Sequence, residues 1–212
     1  FVNSGNANAA TGRGGLEEAA RTHGATSMLL GVPEKQIALC STGVIGVPLD
    51  GRAFVKTLPQ VRDDFGPTTT SFNQAICTSD LFLKHAAVDV QLAEGSVRIV
   101  AQAKGAGMIS PNFATMLCFV QTDAGLTPET ADLLLGVCVK RSFDRISVDG
   151  QLSTNDTAIL MASGASGVQI EPESEDELRF GEALDAVLRR LALLIVRDGE
   201  GAKRVGRVVV RG

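Results

Sequence analysis

Tryptophan and tyrosine are absent from this 212-residue sequence, and only two histidines are present. Without indole or phenol rings, a stacking platform for bases, sugars or cations is not expected, although nine phenylalanines leave room for one or two stacks. His23 and His85 lie far apart and neither has metalloprotease spacing, so no His/Cys metal site and no recognisable Ser–His–Asp triad is expected. The four cysteines, Cys40, Cys77, Cys118 and Cys138, form no CxxC pair, and each sits in an apolar stretch. They read as buried small hydrophobes in a reducing compartment. No Lys/Arg run occurs, and 20 basic against 24 acidic residues give a charge of −4, which argues against nucleic acid or an anionic membrane as partner. No apolar stretch approaches the ~18 residues of a spanning helix. The opening FVNSGNANAATG resembles neither a signal nor a transit peptide and lacks an initiator Met, so the chain is expected to begin inside a longer gene product.

What is present is enough for a core: 44% hydrophobic residues in a length suited to one large or two small domains. Gly is 23 of 212, so many tight turns or close backbone approaches are expected. The periodicity predicts a helix over Gly15–Leu30 with Leu16, Ala19, Ala20, Ser27 and Leu30 apolar and His23 half-buried, ending at Gly31. Strands are predicted at Ile37–Cys40, Met116–Gln121, Ile146–Asp149 and Thr157–Ala162. Ala87–Leu92 and Ser96–Ala103 form a hairpin across Ala93-Glu94-Gly95. Thr70–Cys77 has weak helical spacing. Thr127 caps a helix that starts at Pro128 and runs to about Arg141. The clearest helix is Asp176–Arg197, opened by a capping box at Ser174–Glu177 and striped by Phe180, Leu184, Val187, Leu188, Leu191, Leu194 and Ile195. The acidic stretch Glu171–Glu177 reads as a solvated loop and helix start. Strands and helices mix without strict βαβ alternation, so the fold class is α/β in the broad sense, an α+β layered sandwich of mixed sheets and helices, not a doubly wound parallel sheet.

Four polar, Gly-rich stretches stand out. Asn3-Ser-Gly-Asn-Ala-Asn8 is either an Asx-type turn before a helix or a set of amides lining a pocket. Ser41-Thr42-Gly43-Val44-Ile45-Gly46 could aim a hydroxyl and the next N–H in one direction, as an oxyanion hole does, and could equally be a plain turn. Ala103–Leu117 ends a strand in Gly105-Ala106-Gly107, turns at Pro111-Asn112, and sets Thr115 at the mouth of an apolar strand with Lys104 nearby. Its Gly-x-Gly lacks the remaining P-loop elements. Asp149–Thr157 is a polar turn between strands, and Glu200 sits in a Gly-flanked loop after the last helix, pointing into a site or into water.

Together and in this order, NSGNANAATG, STGVIG, AICTSD, AKGAGMISPNFATML, FDRISVDGQLSTNDT and DGEG resemble the bifunctional ornithine acetyltransferase / glutamate N-acetyltransferase family of arginine biosynthesis. The resemblance spans residues 1 to about 201. It implies an N-terminal-nucleophile-type, self-processing acetyltransferase fold, cut between Ala114 and Thr115. Residues 1–114 would be the C-terminal part of an α subunit and 115–212 the N-terminal part of a β subunit, in one intertwined unit. Thr115 would be the nucleophile. A Thr hydroxyl needs a base beside it, and its own freed α-amine, with a pKa of ~7.7–8.0, supplies one. Thr42 and Gly43 would form the oxyanion hole, and Thr78, Lys104 and Glu200, together with Thr115, would contact substrate. Lys104 would pair with the substrate carboxylate and Glu200 would face its amino end.

The implied reaction moves acetyl from N-acetylornithine to glutamate by a ping-pong route in arginine biosynthesis, with acetyl-CoA as a second donor in a bifunctional member. No metal or prosthetic group is implied. The implied assembly is an α2β2 heterotetramer of the two fragments, in the cytoplasm or, in a eukaryote, an organellar matrix. An N-terminal-nucleophile amidohydrolase or aminopeptidase, a secondary-metabolite acetyltransferase of the same family, and a catalytically dead binding protein remain alternatives. The sequence departs from the family pattern at both ends. A region before NSGNANA and a later Asp-Pro-Asn-Trp-Gly-Arg type segment are absent, and Gly201-Ala202 runs into KRVGRVVVRG, expected as a helix and strand from further along.

Overall fold

The computed structural model describes residues 1–111, 113, 114 and 116–211, and of Phe113 and Ala114 the backbone alone. The chain divides into two compact units, Phe1–Thr78 and Ser79–Gly212. The expected layering of helices on a mixed sheet is the observed fold class.

The first unit is mostly helical. Helix α1 spans Gly12–Leu30 and ends at Gly31, whose left-handed φ of 67° closes the last turn with an N–H bond to Ser27 O. Its buried positions are Gly15, Thr22 and Thr26, while Leu16 is 71% exposed. The inward stripe is therefore small and polar, one position off the apolar stripe expected. Small residues suit the neighbour, helix α2 (Gly51–Asp63), because a Cβ on Gly51 would meet Glu18 and Thr22. Sequence patterning gave no sign of α2. Asp50 caps it by accepting from Ala53 N–H at 3.0 Å, and Pro59 sits inside it, a residue that ordinarily reads as a breaker. Helix α3 covers Thr70–Ala75. Strands β1 (Val2–Asn3) and β2 (Cys40–Ser41) pair in parallel. The strand expected at Ile37–Cys40 shrinks because Glu34–Gln36 winds into a 3-10 turn and only Cys40–Ser41 meets a partner.

The second unit is a four-stranded mixed sheet in the order β3-β4-β7-β8, with helices α4 (Pro128–Arg141) and α5 (Glu175–Arg197) packed on it. Strands β3 (Lys84–Gln91) and β4 (Ser96–Lys104) form the expected hairpin, closed by Leu92 N–H to Gly95 O at 2.8 Å. Strand β4 pairs antiparallel with β7 (Leu117–Thr122), and β7 pairs in parallel with β8 (Thr157–Ala162). Thr127 Oγ caps α4 through Thr130 N–H as expected.

At α5 the capping box is shifted on one side. Ser174 Oγ accepts from Glu177 N–H, but Glu177 returns to the N–H of Glu173, one residue before the cap. Phe180, Leu184, Val187, Leu188, Leu191 and Ile195 are buried against Ile99, Ala101, Cys118 and Val120 of the sheet, and Leu194 is partly buried against the same core. A stripe of that size contributes on the order of 2 kcal/mol per side chain.

The strand expected at Ile146–Asp149 does not form. Phe143–Arg145 is a 3-10 turn, and Val148 and Gly150 N–H both converge on the single carbonyl of Ile109 instead of a ladder. Residues 202–211 contain no helix or strand and are exposed, contrary to the reading of KRVGRVVVRG. Cys40, Cys118 and Cys138 are buried as expected, whereas Cys77 is half-buried. Burial pushes the Cys118 thiol up to about 12 and the Cys138 thiol up to about 11, so both are inert. His23 is half-buried scaffold, its Nε2 donating to Ile37 O at 2.9 Å.

Candidate active site

In the first unit the polar N-terminal stretch runs alongside residues 40–46. Thr42 N–H donates to Asn3 O, Val44 N–H to Gly5 O, Ala7 N–H to Val44 O and Gly46 N–H to Ala9 O, at 2.9–3.2 Å. Most of the asparagine amides are spent on this scaffold: Asn3 Nδ2 donates to Asn6 O at 2.7 Å and Asn8 Nδ2 to Gly15 O at 2.9 Å. That favours the Asx-turn reading over a pocket lined by all three amides.

Thr42 is fully buried. Gly43 has a φ of 129°, and a Cβ there would lie 2.3 Å from the carbonyl carbon of Gly5, so this turn admits only glycine. Among the described residues the Gly43 N–H has no acceptor, although it is flanked by two amides that do. An amide held rigid by its neighbours and left open is the donor an oxyanion requires. Thr78 is exposed, in a bend after α3.

The second unit holds the stretch around Lys104. The short strands β5 (Ile109–Ser110) and β6 (Phe113–Ala114) pair antiparallel, with Ser110 opposite Phe113. They carry the backbone to Ala114, the expected cleavage position. Thr115 itself lies outside the described residues. Met116 follows, buried, its carbonyl accepting from Thr157 N–H at 3.0 Å at the end of the STNDT turn. The approach is anchored by Asp149, whose carboxylate accepts from Met108, Ile109 and Gln151 N–H at 2.7, 3.0 and 3.0 Å. Burial pushes the Asp149 carboxyl up, but these three N–H groups outweigh it and hold it below the usual range. They also hold Met108 in a left-handed conformation, φ 57°, that non-glycine residues seldom adopt.

Lys104 is buried, with its Nζ 3.9 Å from Asp80 Oδ2. Glu200 is exposed in the loop after α5 and is drawn to the same stretch: its N–H donates to Ala106 O at 2.7 Å. Its carboxylate carbon would lie 2.7 Å from a Cβ built on Gly107. Lys104 and Glu200, predicted from separate motifs, thus flank one three-residue loop, 105–107.

Three residues that sequence reasoning gave no role complete this region. Lys84 Nζ donates to Asp80 Oδ1 at 2.6 Å, to Asp198 Oδ2 at 2.5 Å and to Phe82 O at 3.4 Å, with all three charged side chains fully buried. Asp80 Oδ1 also accepts from Gly105 N–H at 2.7 Å. Burial pushes the Asp80 carboxyl up, but the Gly105 N–H and the Lys84 and Lys104 ammoniums outweigh it and hold it below the usual range. Asp80 and Asp198 fall inside the motifs AICTSD and DGEG, which was the available signal. Among the described residues no three His, Cys, Asp or Glu side chains converge as metal ligands would. A separate open depression of about 410 Å³, near Arg98, Gln121, Asp123 and Met161, contains none of the predicted site residues.

A model of the ArgJ family matches residues 1–212. The chain belongs to the ArgJ family. The arginine biosynthesis bifunctional protein ArgJ of Nitratidesulfovibrio vulgaris is 45% identical, over 100% of this chain and 53% of that protein. The glutamate N-acetyltransferase of Methanopyrus kandleri is 41% identical, over 100% of this chain and 54% of that protein. The chain therefore spans about half the length of the curated ArgJ relatives it matches.

Among solved structures, an L-aminopeptidase D-Ala-esterase/amidase from Ochrobactrum anthropi, described as a variant of the Ntn hydrolase fold, is similar with a TM-score of 0.52. The match covers 86% of this chain and 63% of that one. At 13% identity it speaks to the fold alone.

Proposed function

We propose that the protein containing this chain cuts itself between Ala114 and Thr115, then transfers the acetyl group of N-acetylornithine to glutamate through an ester on Thr115, in arginine biosynthesis. The match of the ArgJ family over residues 1–212 carries this reading. On it, residues 1–114 end an α fragment and 115–212 begin a β fragment. Thr115 Oγ attacks the acetyl carbonyl while its freed α-amine accepts the hydroxyl proton. The C–N bond breaks, that proton passes to the leaving nitrogen, and ornithine departs. Glutamate's amine then attacks the ester, N-acetylglutamate leaves, and Thr115 regains its proton. Acetyl-CoA is a second donor if the protein is bifunctional.

Thr42 Oγ and Gly43 N–H stabilise the oxyanion of both steps. The open, rigid Gly43 amide supports that role. Thr78, Lys104 and Glu200 contact substrate, Lys104 by its carboxylate and Glu200 by its amino end. The flanking of loop 105–107 by Lys104 and Glu200 supports this pairing. The two fragments assemble as an α2β2 heterotetramer in the cytoplasm.

The purified protein should run as two bands on a denaturing gel, one of them beginning Thr-Met-Leu-Cys. Thr115→Ala should give one band and no transfer, because one hydroxyl serves both reactions, and Thr115→Ser should retain part of each. Transfer by the Ala variant would remove Thr115 from the mechanism. Ornithine release that is independent of glutamate would assign a hydrolase instead.

A further inference from the structure

Lys84 takes no part in the acetyl-transfer chemistry, yet it is the hub of the buried charges beside it. We propose that Lys84 is a positioning residue that clamps the loop after β4 to the loop after α5 and so sets where Lys104 and Glu200 stand relative to each other. The connections close a ring. Lys84 donates to Asp80, and Asp80 accepts from the N–H of Gly105, the residue after Lys104. Ala106 O accepts from Glu200 N–H. Two residues before Glu200, Asp198 accepts from Lys84 and, with both oxygens, from Leu81 N–H at 3.2 and 3.0 Å.

The ammonium has three donors and three acceptors, so its orientation is fixed. The Phe82 ring lies 4.9 Å from it on a further side. With Lys84, Asp80 and Asp198 fully buried and Lys104 nearly so, two positive and two negative charges balance away from water. Removing one member would leave an uncompensated buried charge, so the ring opens only at high cost. Fixing both loops to one atom fixes the span between a carboxylate-binding ammonium and an amine-binding carboxylate. That span selects the length of the amino acid held between them. This clamp rests on the acetyl-transfer reading only for what Lys104 and Glu200 touch.

The test is the double variant Lys84→Met with Asp198→Asn, which removes one charge of each sign and keeps an oxygen for Leu81 N–H. Amide hydrogen exchange at Gly105 and Glu200 should quicken by roughly tenfold or more, while exchange at Leu188 and Leu191 inside α5 stays unchanged. KM for N-acetylornithine should rise roughly tenfold with a smaller change in kcat, since binding groups are displaced and the nucleophile is not. A merely structural Lys84 would lower the folded fraction and leave both KM and local exchange in the folded protein as they are; that result overturns the clamp. Should the double variant not fold, Asp198→Asn alone should quicken exchange at Glu200 and spare Gly105, and equal protection of both would again overturn it. Quickened exchange in a protein whose wild type shows no acetyl transfer would uphold the clamp and defeat the acetyl-transfer reading.

Discussion

The turn at Thr42–Gly43 and the loop at 105–107 are both Gly-rich and both follow a strand, yet they are held in place by different means. The first is fixed by backbone: four N–H···O bonds to residues 3–9 surround it, and Gly43 lies against the Gly5 carbonyl. The second is fixed by side chains: the Asp80 carboxylate grips the Gly105 N–H, Asp149 grips the N–H groups of Met108 and Ile109 just after the loop, and a buried lysine ties it to the end of α5. A backbone-built turn suits a donor that must not move as charge develops, because its amide dipole is already oriented. A side-chain-built loop suits substrate contacts, whose spacing can be changed by single substitutions without rebuilding the main chain. The lesson is that glycine means different things in the two places, close backbone approach in one and room for a carboxylate in the other.

The largest effect is expected at Thr42. On the proposed role, Thr42→Ala should lower kcat by ~10²–10³ with little change in KM, as loss of one oxyanion donor does elsewhere. The fold should survive, since one hydroxyl seldom carries more than ~1–2 kcal/mol. Steady-state kinetics on material verified as fully cleaved measures this, and an unchanged kcat would leave Gly43 N–H as the sole donor and Thr42 as a turn residue.

The glycines sharpen the comparison directly. Gly43→Ala should destabilise by on the order of 3 kcal/mol, because the new methyl meets main chain at a φ that L residues rarely adopt. Gly107→Ala should cost less than ~1 kcal/mol, because the atoms nearest its methyl belong to the movable end of Glu200, but it should raise KM several-fold by pushing that carboxylate aside. Denaturant unfolding of both variants, with kinetics on the second, checks the contrast. Equal stability losses would mean the two loops are held alike.

The smallest effect is one of pH. The Asp80 carboxyl is held below its ordinary range in the folded chain, so its ion pairs stabilise fully above the unfolded value of ~4 and fade as pH falls through the depressed folded value. The stability gap between wild type and Asp80→Asn should be constant from neutral pH down to about 4 and narrow below that. Unfolding followed by circular dichroism across acid pH measures it. A gap that widens toward acid would contradict the ion-paired state.

Local chemistry determined much of this molecule. The caps at Thr127 and Ser174, the hairpin across residues 93–95 and the apolar stripe of α5 could all be read from a few neighbouring residues, because each depends on spacings of two to four along the chain. Tertiary structure decided the rest. Helix α2 was hidden because Pro59 signals a break that packing on α1 overrides. Residues 146–149 lost their strand because Ile146 N–H turns back to Phe143 O and Val148 N–H goes to Ile109 O, so no ladder forms. The inward face of α1 was set by what fits against Gly51, not by which residues are most apolar. The buried ring joins Lys84 to Asp198 across 114 positions, and although Asp198 lies in the DGEG motif, no periodicity or spacing over that distance pairs it with a lysine outside the motifs. Such a contact exists only after β3 and α5 have packed, when burial makes each of its charges dependent on the others.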